Sequence, residues 1–360
     1  IKLASELAIK KNLSIYNKFL SKREIEKLTE IFNEWIDHSI SFSILEGLDE
    51  RIDYYNKYNQ YKNIKKIYSS TGYNYNDNFK IFSILAKRNK VKLIGYSDGI
   101  TNFLDLFGKS MNSNPNHFKT ILLFYFTDVF CMWGKGNLFN PWNTVKKKFK
   151  TKIINTGSPY LLNLKKWKKN QINKDKFTVL YPMGPLRTYP ESLERPTYEE
   201  NFNHFKNVSL FLKKLLAQHK GLKIIYKPFM GIENYPIEKI LKKEIALNRV
   251  KKIKLNLTKI MQEVDIVLFD MLSTGFAETT NIEVPTLIYN SKYYVKMTSK
   301  FGKKINFKLS KSKIIFTNEK KGLENFKFLL NNLELFKKNS KQSINQFKES
   351  LAFPISKEKF

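Results

Sequence analysis

Short apolar runs alternate with amphipathic stretches along this chain, and the alternation predicts strands separated by helices. The runs have the length of strands, and most of them end in loops rich in Gly, Ser, Thr or Pro. Strands that alternate with helices are typical of parallel α/β sheets, whose ligands bind at the carboxyl ends of the strands. The predicted strands are Lys65–Tyr68, Val91–Tyr96, 127–133, Lys152–Asn155, Phe177–Tyr181, Leu222–Tyr226, Lys251–Leu255, Ile266–Phe269 and Pro285–Tyr289.

The apolar positions between these runs follow the spacing of helices. A helix-rich segment covers residues 12–68, where Ile25, Leu28, Ile31, Phe32 and Trp35 recur on one helical face. Further helices are predicted over 78–89, 198–219, 257–263 and, in the C-terminal tail, 322–351.

A basic segment without periodicity, residues 165–176, divides the chain and is interpreted as a linker. Residues 1–164 are then a helical segment with a Rossmann-like domain, residues 177–330 a second Rossmann-like domain, and residues 331–360 a helical tail. The chain starts without Met. We expect that it begins inside a longer protein and that upstream residues of the first domain are missing.

The basic residues of the chain indicate which kinds of anionic partner it could bind. The formal net charge is +32, but only six of the 64 basic residues are Arg. Proteins that bind nucleic acids favour Arg for bidentate contacts, so nucleic acid is an unlikely partner. The first interpretation of the charge is the codon bias of an AT-rich genome, with solvated lysine faces. An anionic membrane surface remains open as a partner. No apolar run reaches the roughly 20 residues of a spanning helix.

Residues 263–290 contain the most informative pattern, a buried strand followed by a small-residue turn, a short helix and a second strand. Ser273, Thr274 and Gly275 form the turn where the helix begins. Backbone N–H groups and the positive end of the helix dipole at such a turn suit a phosphate or diphosphate. The alternative interpretation is an ordinary loop with a Ser/Thr N-cap.

Two cations and one acidic residue are further candidates. Lys227 ends a strand just before Pro228, and Arg187 lies in a Gly/Pro-rich loop after another strand, so either side chain could contact phosphate. In a chain with 58 Lys residues, Lys227 could equally be a surface lysine. Asp270 is interpreted as a residue that holds the loop.

Four segments together resemble GT-B transferases of bacterial surface-carbohydrate (capsule or O-antigen) biosynthesis, with CDP-glycerol glycerophosphotransferases as more distant relatives. They are residues 67–99, TDVFCMWGKGN (127–137), INTGSPYL (154–161) and LSTGFAETTNIEVPTLIYN (272–290). The resemblance implies an α/β fold of GT-B type, in which two Rossmann-like parallel-sheet domains face a cleft, with a helical N-terminal segment and a C-terminal helix.

The resemblance also implies roles for individual residues. Asp98 stands where the group tends to carry His, and it could deprotonate an acceptor hydroxyl; the alternative is a turn Asp beside Gly99. Glu278 resembles the acid that accepts ribose hydroxyls, although it could be a solvated helix residue. Gly157 and Ser158 are expected to line the cleft.

The sequence therefore predicts a metal-independent glycosyltransferase that needs no cofactor besides its nucleotide-sugar donor. No metal-ligand spacing, Walker A motif or Gly-x-Gly-x-x-Gly is present. The predicted acceptor is a surface polysaccharide or a lipid-linked saccharide, and the predicted location is cytoplasmic, at the inner face of the membrane if the protein docks there. Two alternatives remain: polyol-phosphate transfer from a CDP-alcohol on the same fold, and a non-enzymatic basic module that binds anionic lipid or nucleic acid.

Overall fold

The computed structural model describes residues 21, 23–28, 30, 47–58, 63–70, 72–97, 99, 126–134, 150–169, 171–185, 198–229, 235–291 and 300–352. Contacts divide the chain into two compact units, one formed by residues 1–67 and 71–92 and the other by residues 68–70 and 93–360. The predicted helical pattern from Ile25 to Trp35 lies mostly outside the described residues.

Two parallel sheets form the framework. The first contains β1 (Lys66–Ser69), β2 (Lys92–Tyr96), β3 (Val129–Met132) and β4 (Lys152–Asn155) in the order of the chain. The second has six strands in the order β10-β9-β8-β5-β6-β7. Its strands are β5 (Phe177–Pro182), β6 (Leu222–Lys227), β7 (Val250–Lys252), β8 (Ile266–Phe269), β9 (Thr286–Tyr289) and β10 (Ile315–Phe316).

Helices connect these strands. Within the described residues they are α1 (Leu48–Tyr58), α2 (Gly72–Tyr75), α3 (Asp77–Arg88), α4 (Pro159–Leu162), α5 (Tyr198–Gln218), α6 (Pro236–Ile240), α7 (Lys242–Ala246), α8 (Leu257–Met261), α9 (Thr274–Ile282), α10 (Lys300–Lys311), α11 (Glu319–Asn331) and α12 (Leu333–Leu351).

In the first compact unit, α1 packs against α3. The ring centroids of Tyr55 and Phe82 are 5.4 Å apart, and the Arg51 side chain donates a hydrogen bond to Asn78 Oδ1. α3 begins where Asn76 Oδ1 accepts a hydrogen bond of 2.9 Å from Phe79 N, as expected for an Asn N-cap.

The core of the second unit surrounds the six-stranded sheet. Its central strands β5 and β8 are apolar along almost their whole length, because helices cover both faces of a parallel sheet. The long helix α5 contributes Phe205, Phe211 and Leu212, all of them fully buried.

The C-terminal helix α12 joins this core late in the chain. Phe347 packs edge-on against Phe276 of α9, with 4.8 Å between the ring centroids. Near its end, α12 also reaches the residues that follow β3, where a Cβ on Gly134 would collide with the carbonyl oxygen of Ser350. α12 therefore contacts both α9 and the residue Gly134 near the end of β3.

The predicted linker, residues 165–176, packs against the second sheet. Trp167 donates from its backbone N–H to Ile282 O at 2.7 Å and from Nε1 to Val264 O at 2.8 Å. Lys169 forms an ion pair of 2.9 Å with the buried Asp265, which also accepts a hydrogen bond from Thr178 N. This segment is thus attached to the helices and strand ends of the second sheet.

Three details differ from the sequence-based expectation. The predicted tail helix is two helices, because the chain breaks at Asn332 (φ −140°, ψ 53°), a residue with low helix propensity. The predicted strand Lys251–Leu255 ends at Lys252, and Leu255 is 67% exposed rather than part of the core. The pair α10–β10 was absent from the prediction.

The predicted α/β fold class, with two parallel sheets and a helix after the second sheet, is confirmed. The domain boundaries and the cleft between the domains stay predictions. Within the described part of the chain, no helix combines the length and the apolar character that crossing a membrane requires.

Replacing Leu268 in β8 tests the role of this central strand. Leu268 is completely buried, so Leu268→Ala is expected to lower the free energy of unfolding by about 2–5 kcal/mol in urea denaturation. The matched control is Leu255→Ala, which removes the same atoms from an exposed position and is expected to change stability by about 0.5 kcal/mol or less. Equal losses in the two variants would contradict this assignment of the core.

Candidate functional site

The strand order places a switch point between β5 and β8. From β5 the chain builds β6 and β7 on one side, and it then returns to build β8, β9 and β10 on the other side. β5 and β8 pair only through Val179–Ile266 and Leu180–Val267. Beyond these pairs, β5 still pairs with β6, and β8 still pairs with β9. The carboxyl ends of β5 and β8 are therefore the position where open α/β sheets are expected to bind ligands.

A buried carboxylate joins the two loops that leave this switch point. Asp270 follows β8, and its Oδ2 accepts hydrogen bonds from Tyr181 Oη at 3.0 Å and from Gly184 N at 2.8 Å. Tyr235 Oη in turn donates to Gly184 O at 3.0 Å. Asp270 thus holds the loop after β5 to the loop after β8, as the sequence suggested.

Burial raises the pKa of Asp270 to about 6, an effect that the hydrogen bonds from Gly184 and Tyr181 only partly offset. His204, another buried group in this domain, has its pKa lowered to about 3 by desolvation. Its ring packs 5.3 Å from Phe205 and 6.2 Å from Tyr289, so His204 is a neutral packing residue.

The turn predicted to bind phosphate follows β8 at this edge of the sheet. Ser273 is the N-cap residue of α9, with extended backbone (φ −133°, ψ 177°), but its side chain does not cap the helix. Ser273 therefore has the backbone conformation of an ordinary N-cap residue, but its hydroxyl does not make the hydrogen bond of one. Gly275 lies so close to Phe269 that a Cβ would collide with the ring, which brings the first turn of α9 close to the end of β8.

The loop after β2 approaches the same helix start. A Cβ on Gly99 would collide with Thr274 Oγ1, so the backbone can come this close only because the residue is glycine. Ser97 stabilises the turn by donating from Oγ to Gly99 O at 2.7 Å. Asp98, the predicted base, lies between these two residues and outside the described residues, so its role stays a prediction.

The loop after β4 also meets α9. Gly157 has φ 74°, in the left-handed region that favours glycine, and buried Ser158 caps α4 by accepting from Leu161 N at 3.3 Å. The short α4 that follows presents Tyr160, whose hydroxyl donates to Glu278 Oε1 at 3.0 Å. Gly157 and Ser158 thus shape the turn that brings Tyr160 to α9.

Glu278 lies in α9 about one turn after the residues Ser273–Gly275. Glu278 is partly buried, and burial raises the pKa of its carboxyl while the hydrogen bond from Tyr160 lowers it. Burial, followed by the nearby Glu278 charge, raises the pKa of Tyr160 to about 12, so the phenol keeps its proton and remains a donor.

The two candidate cations, Lys227 and Arg187, are not shown in contact with the start of α9. Lys227 ends β6, which is two strands from β8 and therefore about 10 Å away across the sheet. Its carbonyl accepts a hydrogen bond of 2.9 Å from Met183 N, at the start of the loop after β5. Arg187 lies outside the described residues. Phosphate contacts by both side chains stay predictions.

Sequence reasoning missed Tyr160 and Gly184 as parts of this region. Tyr160 becomes relevant only when β4 and β8 are placed in space, since it is 118 residues from its partner Glu278. The Gly/Pro loop at 182–191 was recognised, but the bond between Gly184 and Asp270 depends on the strand order.

The assembled region can bind an anion and a hydroxyl group. The start of α9 offers backbone N–H donors and the positive end of a helix dipole, which suit a phosphate. Glu278 offers a carboxylate acceptor on the same helix. Among the described residues, no three His, Cys, Asp or Glu side chains cluster in a way that could hold a metal ion. Metal independence remains a prediction.

The structure is that of an α/β protein with two parallel sheets, and the candidate site residues of α9 lie beside the switch point of the second sheet. The chain belongs to the LIC12162 family transferases, whose family model matches residues 3–322. It is accordingly a transferase. The predicted capsule or O-antigen role and the likeness to CDP-glycerol enzymes stay predictions.

Several solved structures are distantly similar. The S. aureus MnaA–UDP co-structure shares 13% identity, with a TM-score of 0.49 over 85% of this chain and 76% of that chain. UDP-GlcNAc 2-epimerase from Neisseria meningitidis, bound to UDP-GlcNAc, shares 12% identity, with a TM-score of 0.49 over 85% and 75%. Anabaena HepE, in complex with UDP and glucose, shares 12% identity, with a TM-score of 0.48 over 87% and 79%. No curated protein matches the chain.

The raised pKa of Asp270 predicts a specific pH dependence of stability. Between its ordinary pKa of 3.8 and about 6, the folded protein keeps a proton that the unfolded chain has lost. The resulting stabilisation is present below pH 4 and is lost as the pH rises through 6. Asp270→Asn cannot titrate, so the stability of the wild type relative to this variant is expected to fall by up to about 3 kcal/mol across that range.

Urea denaturation of both proteins from pH 4 to pH 7 measures this difference. Asp175→Asn is the control, since it makes the same change at an exposed position and is expected to show no such trend. A difference between wild type and Asp270→Asn that does not change with pH would contradict the proposed state of the carboxyl.

Proposed function

We propose that this transferase is a glycosyltransferase that moves a sugar from a nucleotide-activated donor to a cell-surface polysaccharide or a lipid-linked acceptor. The observation that carries the proposal is a pairing on one helix beside the switch point. The N-cap residue Ser273 makes no side-chain capping bond, and the partly buried carboxylate of Glu278 lies about one turn further on. A nucleotide diphosphate presents both matching groups, a charged diphosphate and a ribose with hydroxyl donors.

In the proposed complex, the diphosphate lies against the first turn of α9. The backbone N–H groups at Ser273–Gly275 and the hydroxyls of Ser273 and Thr274 donate to its oxygens. Glu278 accepts a hydrogen bond from a ribose hydroxyl. Tyr160 donates to Oε1 of Glu278 and so leaves Oε2 facing the ribose.

Sugar transfer requires three changes to occur together. The acceptor oxygen bonds to the anomeric carbon, and the bond from that carbon to the diphosphate oxygen breaks, with its electron pair leaving on the nucleotide. The proton of the acceptor hydroxyl passes to a base, for which Asp98 is the candidate. The helix dipole and the hydroxyl donors stabilise the charge that develops on the diphosphate, without a requirement for a metal ion.

The surface charge supports an acceptor close to a membrane. Of the 64 basic residues, 58 are Lys, and the net charge of +32 would attract the protein to anionic lipid headgroups. A lipid-linked saccharide at the inner face of the cytoplasmic membrane is therefore the proposed acceptor, and the cytoplasmic side is the proposed location.

Thermal stabilisation by a panel of nucleotides tests the donor site. UDP, GDP, CDP, CMP and ADP are compared at physiological salt, with inorganic diphosphate as a control for charge. We expect one nucleotide to raise Tm well above the effect of diphosphate, because a ligand that binds only the folded state stabilises it by mass action. Equal shifts with all compounds, diphosphate included, would contradict the proposal and favour a basic module that binds anions generally.

The same panel separates sugar transfer from polyol-phosphate transfer. A strict preference for cytidine nucleotides, followed by transfer of a phosphoalcohol to an acceptor, would favour the CDP-alcohol alternative. Preference for another base, with transfer of a labelled sugar, would favour glycosyl transfer.

The double variant Ser273→Ala/Thr274→Ala tests the position of the phosphates. Removing two hydroxyl donors is expected to weaken binding of the selected nucleotide about tenfold or more in isothermal titration calorimetry, since each lost hydrogen bond costs about 1 kcal/mol. Stability should change little, because both residues are partly exposed and the Ser273 side chain does not cap α9.

Ser310→Ala in α10 is the control for loss of a hydroxyl at a distance from the start of α9. Its nucleotide affinity is expected to equal that of the wild type. If the double variant also binds nucleotide with unchanged affinity, the phosphates do not lie at the start of α9 and this part of the proposal fails.

A further inference from the structure

A pocket lies along one side of α9. Its volume is about 410 Å³, within the range of small-molecule sites. One face of α12, residues of α9 from Phe276 onward, the entrance to β9 and the segment around Trp167 surround it. Ser273, Thr274, Gly275 and Glu278 do not line it, so the pocket is separate from the proposed nucleotide site.

The floor of this pocket is apolar. Phe276, Val284 and Phe336 are buried there, and Ile344 of α12 is partly exposed beside them. Thr279 and Thr280 also line the floor, but their hydroxyls already donate to backbone carbonyls of α9 at 3.0 and 2.9 Å. The surface at the bottom thus suits an aliphatic group.

The rim of the pocket is basic. Its five lysines are Lys166, Lys169, Lys337, Lys341 and Lys348, against the single carboxylate of Glu283. Three of these lysines are already paired. Lys166 bonds Glu283, Lys169 bonds Asp265 and Lys337 bonds Glu334.

The other two lysines, Lys341 and Lys348, lie seven residues apart on α12 and thus on one face of that helix. Neither forms an ion pair with another residue in the described part of the chain. Lys348 is half-buried, and desolvation together with the charge of Lys166 lowers its pKa, an effect that the charge of Glu283 only partly offsets. A negative charge at this point would favour the charged ammonium that burial disfavours.

We propose that this pocket binds an anionic amphiphile, with a phosphate ester head between Lys341 and Lys348 and an aliphatic chain against the floor formed by Phe276, Val284, Phe336 and Ile344. The apolar floor matches the aliphatic chain of this ligand, and the basic rim matches its phosphate head. An inorganic anion would leave the apolar floor in water. A neutral lipid would leave five lysines at the rim with the one carboxylate of Glu283, which Lys166 already bonds.

Calorimetry with three probes tests the chemistry of the ligand. Decyl phosphate, used below its critical micelle concentration, is expected to bind at least tenfold more tightly than inorganic phosphate or the neutral decyl maltoside. Equal affinity for decyl phosphate and inorganic phosphate would overturn the apolar part of the proposal. Equal affinity for decyl phosphate and decyl maltoside would overturn the anionic part.

Two matched double variants test the location. Lys341→Gln/Lys348→Gln is expected to reduce the affinity for decyl phosphate at least tenfold. Lys327→Gln/Lys338→Gln removes the same charge from exposed positions of α11 and α12 outside the pocket, and it is expected to change that affinity less than twofold. Equal losses in both variants would show that decyl phosphate responds only to net charge and would overturn the site.

Sedimentation with vesicles then distinguishes the two sources of such a ligand. If phosphatidylglycerol vesicles sediment the wild type and the control but not Lys341→Gln/Lys348→Gln, the amphiphile is a membrane lipid. If vesicles sediment all three proteins equally while decyl phosphate still distinguishes them, the ligand is a free amphiphile. Nucleotide binding by both double variants is expected to equal that of the wild type, which keeps this test independent of the proposed donor site.

Discussion

The candidate site depends on one buried carboxylate. Asp270 accepts hydrogen bonds from Tyr181 and Gly184, and it thereby holds together two loops whose parent strands stop pairing at that point. Without this contact, the end of β8 would have no fixed relation to the loop after β5. The position of Ser273 and the direction of α9 follow from the position of Asp270, because only two residues separate Asp270 from the helix N-cap.

Most of the fold could be predicted because most strands are apolar runs that a local pattern identifies. Buried strands such as Ile266–Phe269 are apolar runs that end in small or polar residues, and a local pattern is sufficient to find them. Short elements such as β10 lack that signal, since two residues are too few to show a period. The break at Asn332 was missed because the apolar spacing continues across it on both sides.

The candidate site could be predicted only in part, for a different reason. The turn Ser273–Gly275 and Glu278 lie within one local pattern, and the resemblance to a family gave them roles. The contacts of Tyr160 with Glu278 and of Gly99 with Thr274 join residues more than 100 positions apart. Such contacts depend on the order of strands and on the crossing of loops, which local patterns do not encode.

The late position of α12 has a consequence for biosynthesis. Phe347 completes the packing around Phe276, and the end of the helix lies against the residues after β3. While the chain is still being made, α9 lacks this neighbour and exposes an apolar face. The second sheet can reach its final packing only after residues 333–351 leave the ribosome, so a nascent chain that stops short of them presents a surface that chaperones and proteases recognise.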